Sequence, residues 1–265
     1  MTVASRYELI EYEVKDRVAW IVLNNPERLN AFNDVMGADI VRAFEAIAAD
    51  DEVRAVVITG SGERAFSAGA DMKSAKTHSF ENIADMLSSN YGTYFDAVAN
   101  CPKPVVSAVN GYAIGWGCQI NFWCDFVIAS ENAQFGLPQV SLGIMPAYGG
   151  ATRLARFVGK GRANQLIFGA RRWTAAEAER YGLVAAVYPL SQLREEAAKL
   201  AGHLAALPPL SVRLTKESLA EGFDHPIAEV QKSDVYRTYA LYNTADRVEG
   251  HQAVREKRTP TFQGR

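Results

Sequence analysis

Residues 103–118 read "KPVVSAVNGYAIGWGC", and the order of residue types in this stretch decides the fold. Val105 to Val109 form a short β-rich run without strict polar alternation, the pattern of a strand buried on both faces. Asn110 and Gly111 close the run, small residues follow, and Gly115 to Trp123 can start a helix. The same order occurs upstream, where "VRAVVITG" (53–60) leads into "AFSAGADMK" (65–73). "DFVIAS" (125–130) reads as a further strand. Nearer the start, "YELIEYEV" and "RVAWIVL" predict a hairpin turning at Lys15 and Asp16. Residues 32–50 have helical spacing with Asn33 as N-cap, and residues 79–101 are again helical.

Strands and helices therefore alternate through about the first 190 residues, which implies crossover units and an α/β class. From Ser191 onward the pattern is helical only, punctuated by Pro208, Pro209 and Pro226. The chain divides near residue 200, into an α/β core (1–200) and a helical C-terminal part (201–265).

With 48% hydrophobic and 22% charged residues, the 265-residue chain can bury a full core. Its formal net charge of -2 supplies no field for nucleic acid or an anionic membrane, and neither is expected as a partner. No apolar run reaches the roughly 20 residues that span a bilayer. "MTVASRYELIEYEV" lacks the basic start and apolar stretch of a signal peptide, so the expected location is cytoplasmic. Cys101, Cys118 and Cys124 have no CxxC spacing and read as buried, reduced thiols; no metal site is expected.

The segments 65–73 and 110–118 each place small residues straight after a strand, where a ligand can approach the backbone closely. Two such turns facing one point can aim two N–H groups at one oxygen, and one donor to a developing oxyanion contributes ~3–4 kcal/mol. Neither turn has the spacing of a phosphate loop.

These motifs, with "NNPERLNAFN" (24–33), "CDFVIASENAQFGLPQVSLGIMPAYGG" (124–150) and "VREKRTPTF" (254–262), make the sequence resemble the crotonase, or enoyl-CoA hydratase/isomerase, superfamily over nearly its whole length. The resemblance implies a spiral of ββα units with a helical C-terminal region that mediates trimers, often paired into hexamers. It implies an acyl-CoA thioester substrate, with no cofactor beyond its CoA moiety, and a thioester enolate held by two backbone N–H groups. Those donors fall on Ala70 and Trp116. The family usually has glycine at the second position, so the Trp116 indole either lines the acyl pocket or packs into the core or a subunit contact. The CoA moiety is expected along Arg28, Ala31, Ala68, Asp71, Met72 and Lys73, with Ala68 as the adenine contact and Arg28 and Lys73 toward the phosphates. Lys257 and Phe262 are expected to contribute from a neighbouring subunit.

The pattern breaks at two positions. Where hydratases of the family use glutamates, this chain has Gln119 and Gln139. An amide donates and accepts hydrogen bonds but takes no proton near neutrality. General acid–base catalysis is worth ~10²–10⁴-fold, so simple hydration is expected to be weak. Three readings follow. The enzyme makes its enolate without those carboxylates, by decarboxylation, ring-opening hydrolysis or carbon–carbon bond formation. Alternatively, another acid substitutes, with Asp71, Glu81, Asp85 and Tyr148 as candidates; of the four histidines only His78 is a candidate for a catalytic role. Lastly, the chain is a non-catalytic acyl-CoA-binding oligomer.

Overall fold

The computed structural model describes residues 7–73, 81–88 and 92–265. In chain order the strands are β1 (Ile10–Lys15), β2 (Val18–Leu23), β3 (Ala55–Gly60), β4 (Ala65–Ser67), β5 (Val105–Val109), β6 (Tyr112–Ile114), β7 (Phe126–Ser130), β8 (Gln134–Gly136), β9 (Arg172–Thr174) and β10 (Ala186–Tyr188). They form a six-stranded sheet in the order β1-β2-β3-β5-β7-β10 and a four-stranded sheet in the order β4-β6-β8-β9. Apart from the antiparallel edge pairs β1/β2 and β8/β9, every pairing is parallel.

A strand of the large sheet turns a corner into a strand of the small one three times: β3 into β4, β5 into β6, β7 into β8. Buried polar side chains secure these corners. Asn110 Oδ1 accepts from Gly60 N–H at 3.1 Å, and its Nδ2 donates to the Gly62 carbonyl at 2.8 Å. Thr59 Oγ1 donates to Ala108 O, Ser130 Oγ to Val109 O, and Asn30 Nδ2 to Ala65 O. Each bond gives a partner to a main-chain group at or near a bend, where an unpaired group would be costly in the interior.

The large sheet is apolar on both faces because both are covered. Ile21, Leu23 and Ile58 pack with Met36, Ile40, Phe44 and Ile47 of the helix Asp34–Ala49, which starts at the N-cap Asn33 as its sequence predicts. Trp20, Val57 and Val106 pack with Leu193, Ala197, Ala201 and Leu204 of the helix Leu190–Ala205. The division at residue 200 thus falls inside a helix that covers the sheet; this helix ends at Ala205, just before Pro208 and Pro209.

Two further expectations shift in detail. The hairpin turns at Asp16 and Arg17, one residue later than read, with φ of 52° and 65°. That pair of left-handed residues matches the twist of a two-residue hairpin. The predicted helix over 79–101 is described as two helices, Ile83–Ser88 and Thr93–Ala99, the second capped by Gly92 at φ 87°. The three cysteines are free and buried, and desolvation pushes the Cys118 thiol up to about 12. Among the described residues no helix is long and apolar enough to cross a membrane.

Beyond Pro208 come the helices Pro209–Asp224, Ile227–Tyr242 and Ala245–Glu256. The first is clamped to the core at its end. Arg153 lies between Trp123 and Phe223, 4.1 and 4.7 Å from their ring centres, and Arg156 bonds Asp224. Lys216 on the same helix donates to Asp125 Oδ2 at 2.6 Å. The C-terminal residues fold back onto the last helix, where buried Asp246 accepts from Gln263 N–H (2.7 Å) and Gly264 N–H (2.8 Å). Asp246→Ala should release this tail and cost about 1–3 kcal/mol, because two donors lose a charged acceptor. Thermal melting and limited proteolysis near the C-terminus would measure it; an unchanged tail would contradict the role.

Candidate active site

The two small-residue turns meet. Leu29 and Asn30 adopt left-handed conformations that let residues 28–32 run beside 68–71. Ala68 N–H donates to Leu29 O at 2.9 Å, Phe32 N–H to Gly69 O at 2.7 Å, and Asp71 N–H to Phe32 O at 2.8 Å. In this parallel bridge Phe32 uses the residues on either side of Ala70, so the Ala70 N–H points away from it. Ser67 Oγ accepts from Gly69 N–H and fixes the turn from within.

The second turn is held against the first at main-chain contact. A Cβ on Gly117 would lie 2.4 Å from Ser67 O, and one on Gly69 would lie 2.6 Å from Ile114 O and 3.3 Å from Trp116 N. Only glycine permits this approach. Trp116 opens the helix Trp116–Gln119, so its N–H faces out of the helix end, beside Gly69. Asn121 braces that helix, donating to Gly117 O at 2.7 Å and accepting from Ser107 Oγ of β5 at 2.5 Å.

Gln119 and Gln139 also come together, both buried, at 1% and 5% exposure. Gln119 Nε2 donates to Ala147 O at 2.5 Å, and Gln139 Nε2 donates to Gln119 Oε1 at 2.5 Å. A Cβ on Gly150 would meet Gln119 Nε2 at 2.6 Å, so that glycine makes the seat for the Gln119 amide. The position one carbon off Gly115 is 3.8 Å from Gln139 Nε2 and 3.9 Å from Gly69 Cα. The Gln139 amide nitrogen therefore lies near the point where the turns converge.

Of the residues expected to hold CoA, Arg28, Ala31, Ala68, Asp71, Met72 and Lys73 lie on the two loop segments that this bridge joins. Asp71 is buried, lies 3.3 Å from Arg28 Nη1 and accepts from Lys73 N–H at 2.9 Å. A carboxylate so engaged braces its loop, which speaks against Asp71 as the substitute acid. Met72 and Lys73 are exposed, and Ala31 is buried. Lys257 and Phe262 lie on the C-terminal part: Lys257 ends the last helix in a left-handed conformation, and Phe262 O accepts from Arg54 at 3.1 Å.

The Trp116 indole is half-buried and packs on Tyr94, with ring centres 5.9 Å apart. Tyr148 takes φ 49°, and its ring stacks on Phe95 at 5.8 Å and covers Gly92, where a Cβ would lie 2.6 Å from Tyr148 Cε1. Its carbonyl accepts from Trp123 Nε1 at 3.2 Å. Burial, and secondarily Asp96, raise the Tyr148 pKa, so near neutrality the phenol is a donor and not a base. Glu81 and Asp85 are exposed, Asp85 accepting from Asn82. His78 lies outside the described residues.

Sequence reading did not single out Ala147, whose contribution is a main-chain carbonyl that no side-chain identity signals. It also gave Gly150 no role; the doubled glycine at 149–150 was the available sign.

Comparison with known proteins places this geometry. The family model described as enoyl-CoA hydratase/isomerase matches residues 13–265. A Rhizobium meliloti (strain 1021) protein named as a probable enoyl-CoA hydratase is 40% identical over 98% of this chain and 99% of its own length. The crotonyl-CoA hydratase of Syntrophomonas wolfei is 37% identical, covering 97% of this chain and 98% of that one. The crystal structure of an enoyl-CoA hydratase from Bacillus anthracis superposes with a TM-score of 0.92 at 36% identity, over 97% of this chain and 100% of that chain. The chain belongs to the enoyl-CoA hydratase/isomerase family.

Gly117→Ala tests the contact between the turns. The added methyl would meet Ser67 O at 2.4 Å, forcing main chain apart. The expected result is a lower melting temperature together with loss of CoA-ester binding by calorimetry; retained binding would show that the turns need not touch.

Proposed function

We propose that the chain acts on an acyl-CoA thioester whose carbonyl oxygen is held as an enolate by the Ala70 and Trp116 main-chain N–H groups. The observation that supports this reading is the approach of the Gly69 turn, which precedes Ala70, to Trp116 N, 3.3 Å from a Cβ placed on Gly69. Main-chain donors are fixed before the substrate arrives, and each is worth ~3–4 kcal/mol to an oxyanion when water is excluded. The Arg28–Asp71–Lys73 loop pair supplies the cationic edge for the CoA phosphates. The Trp116 indole lines the acyl side of the site through the part of its surface that Tyr94 leaves uncovered.

Simple hydration is the weak activity of this enzyme. Adding water to an enoyl thioester needs one group to take a proton from water and one to give a proton to the α-carbon. Gln119 and Gln139 do neither at neutral pH. Reactions in which the enolate forms by breaking another bond at the α-carbon, such as loss of CO₂, need no such base and fit the site better. The test is crotonyl-CoA hydration by the natural chain and by a Gln119→Glu, Gln139→Glu double variant. The variant should be faster by ~10²–10⁴. Rapid hydration by the natural chain would overturn the assignment.

The pH dependence separates the two proteins as well. Neither amide titrates, and the Tyr148 phenol, raised above its ordinary value of about 10, stays neutral. Binding of a saturated acyl-CoA to the natural chain should therefore be level from about pH 7.5 to pH 9, above the second ionisation of the CoA phosphate monoester at about 6. A step in that range, measured by calorimetry, would point to a titrating group in the site.

We further propose that the functional form is a trimer or hexamer assembled through the C-terminal helices. Tyr236 and Tyr239 of the helix Ile227–Tyr242 are 78% and 72% exposed, alongside exposed Val235. Burying such side chains is worth about 1.5–3 kcal/mol each. Lys257 and Phe262 then reach the CoA edge of a neighbouring copy. Light scattering on the eluting protein should give three or six times the 29.0 kDa chain mass. A monomer would rule this out.

A further inference from the structure

We infer that a second binding site lies at the start of the helix Leu190–Ala205 and takes a small zwitterion, a molecule that carries both a carboxylate and an ammonium group. The site arises from how far this helix reaches. Leu193, Ala197, Ala201 and Leu204 cover the large sheet over Trp20, Val57 and Val106. The next row across the sheet is Glu11–Val22–Thr59–Ala108, two residues beyond Trp20 on β2. That row borders a cavity of about 600 Å³, which the corner residues Ser61 to Glu63 and the helix start also line. The volume is that of a small-molecule site.

The helix side of the cavity offers donors. Pro189 precedes the helix without a capping side chain, and the N–H groups of Leu190 and Ser191 meet no acceptor among the described residues. Trp20 is only 8% exposed, and its indole N–H also has no acceptor there. That nitrogen is not sealed in the interior; it keeps accessible surface, and the open space that Trp20 lines is this cavity. Arg194, on the first turn of the helix, holds its guanidinium over the Trp20 ring, 4.9 Å from the ring centre, and makes no ion pair among the described residues. A positive helix end, a guanidinium and an indole N–H around one space suit a carboxylate.

The strand and corner side is acidic. Glu11 on β1 and Glu63 on the corner line the cavity, and both are exposed. Glu11 accepts from Asn24 Nδ2 at 2.8 Å, and neither carboxylate meets a cation among the described residues. Two carboxylates at this space repel a dianion such as phosphate and attract an ammonium group. Charges of both signs around one cavity favour a ligand that carries both.

The experiment follows the indole N–H signals of the four tryptophans by nitrogen-edited NMR of the natural chain. The ligands added are 4-aminobutanoate, 6-aminohexanoate and 8-aminooctanoate, with hexanoate and hexylamine as single-charge controls. The Trp20 signal is identified with Trp20→Phe or, should that variant not fold, by elimination with Trp116→Phe, Trp123→Phe and Trp173→Phe. At least one amino acid should move the Trp20 signal to saturation and bind about 10-fold or more tightly than either control. Its affinity should fall about 10-fold in Arg194→Gln and in the double variant Glu11→Gln, Glu63→Gln, all at exposed positions. A Trp20 signal that none of the amino acids moves overturns the proposal, as does movement of the Trp116 signal in its place. Hexanoate binding as tightly as the amino acids overturns it too, because the acidic residues then select nothing. None of these outcomes bears on the thioester reading, which concerns other residues.

Discussion

Main chain pressed against main chain is the constraint on which this architecture rests. Ser67 O and the Cα of Gly117 are so close that a single methyl group would not fit between them. The same intimacy recurs at the corners, where a Cβ on Gly60 would lie 2.5 Å from Ala65 O and one on Gly111 would lie 2.3 Å from Arg64 O. Three strands of the large sheet can each fold into the small sheet only because these contacts are tolerated and because Asn30, Thr59, Asn110 and Ser130 satisfy the groups at the bends. The strands that leave two of these corners, β4 and β6, lead directly into the turns at Ala70 and Trp116.

A site built from backbone keeps its electrostatics when its side chains change. Replacing a carboxylate at 119 or 139 by an amide alters proton chemistry and leaves Ala70 N–H and Trp116 N–H where the glycines put them. The amides are then free to take on a different task. Two carboxylates this close would repel one another and share protons, whereas two amides link head to tail. Polarity without charge replaces charge without fixed polarity.

Much of this was legible in the chain. The buried runs at 53–60 and 105–109 declared themselves by composition, and Asn33 announced the helix it caps. The convergence of 65–73 with 110–118 followed from the family likeness and from small residues after strands. What the sequence withheld came from long-range packing. Nothing local says that residues 190–205 lie on the sheet instead of joining the tail, because an amphipathic helix looks the same against either partner. The direction of the glutamine pair depends on the Ala147 carbonyl, twenty-eight residues from Gln119, and a carbonyl is common to every residue. The turn at Asp16–Arg17 was missed by one position because neither residue is a glycine.

The guanidinium of Arg153 has a consequence for how such a protein can change over time. It is stacked between Trp123, whose indole N–H supports the Tyr148 carbonyl, and Phe223 at the end of the first tail helix. The loop at Tyr148 and the first tail helix thus lean on one planar cation. A lineage cannot retune one without disturbing the other, so the conformation of that loop and the seating of the tail should drift together among descendants of this chain.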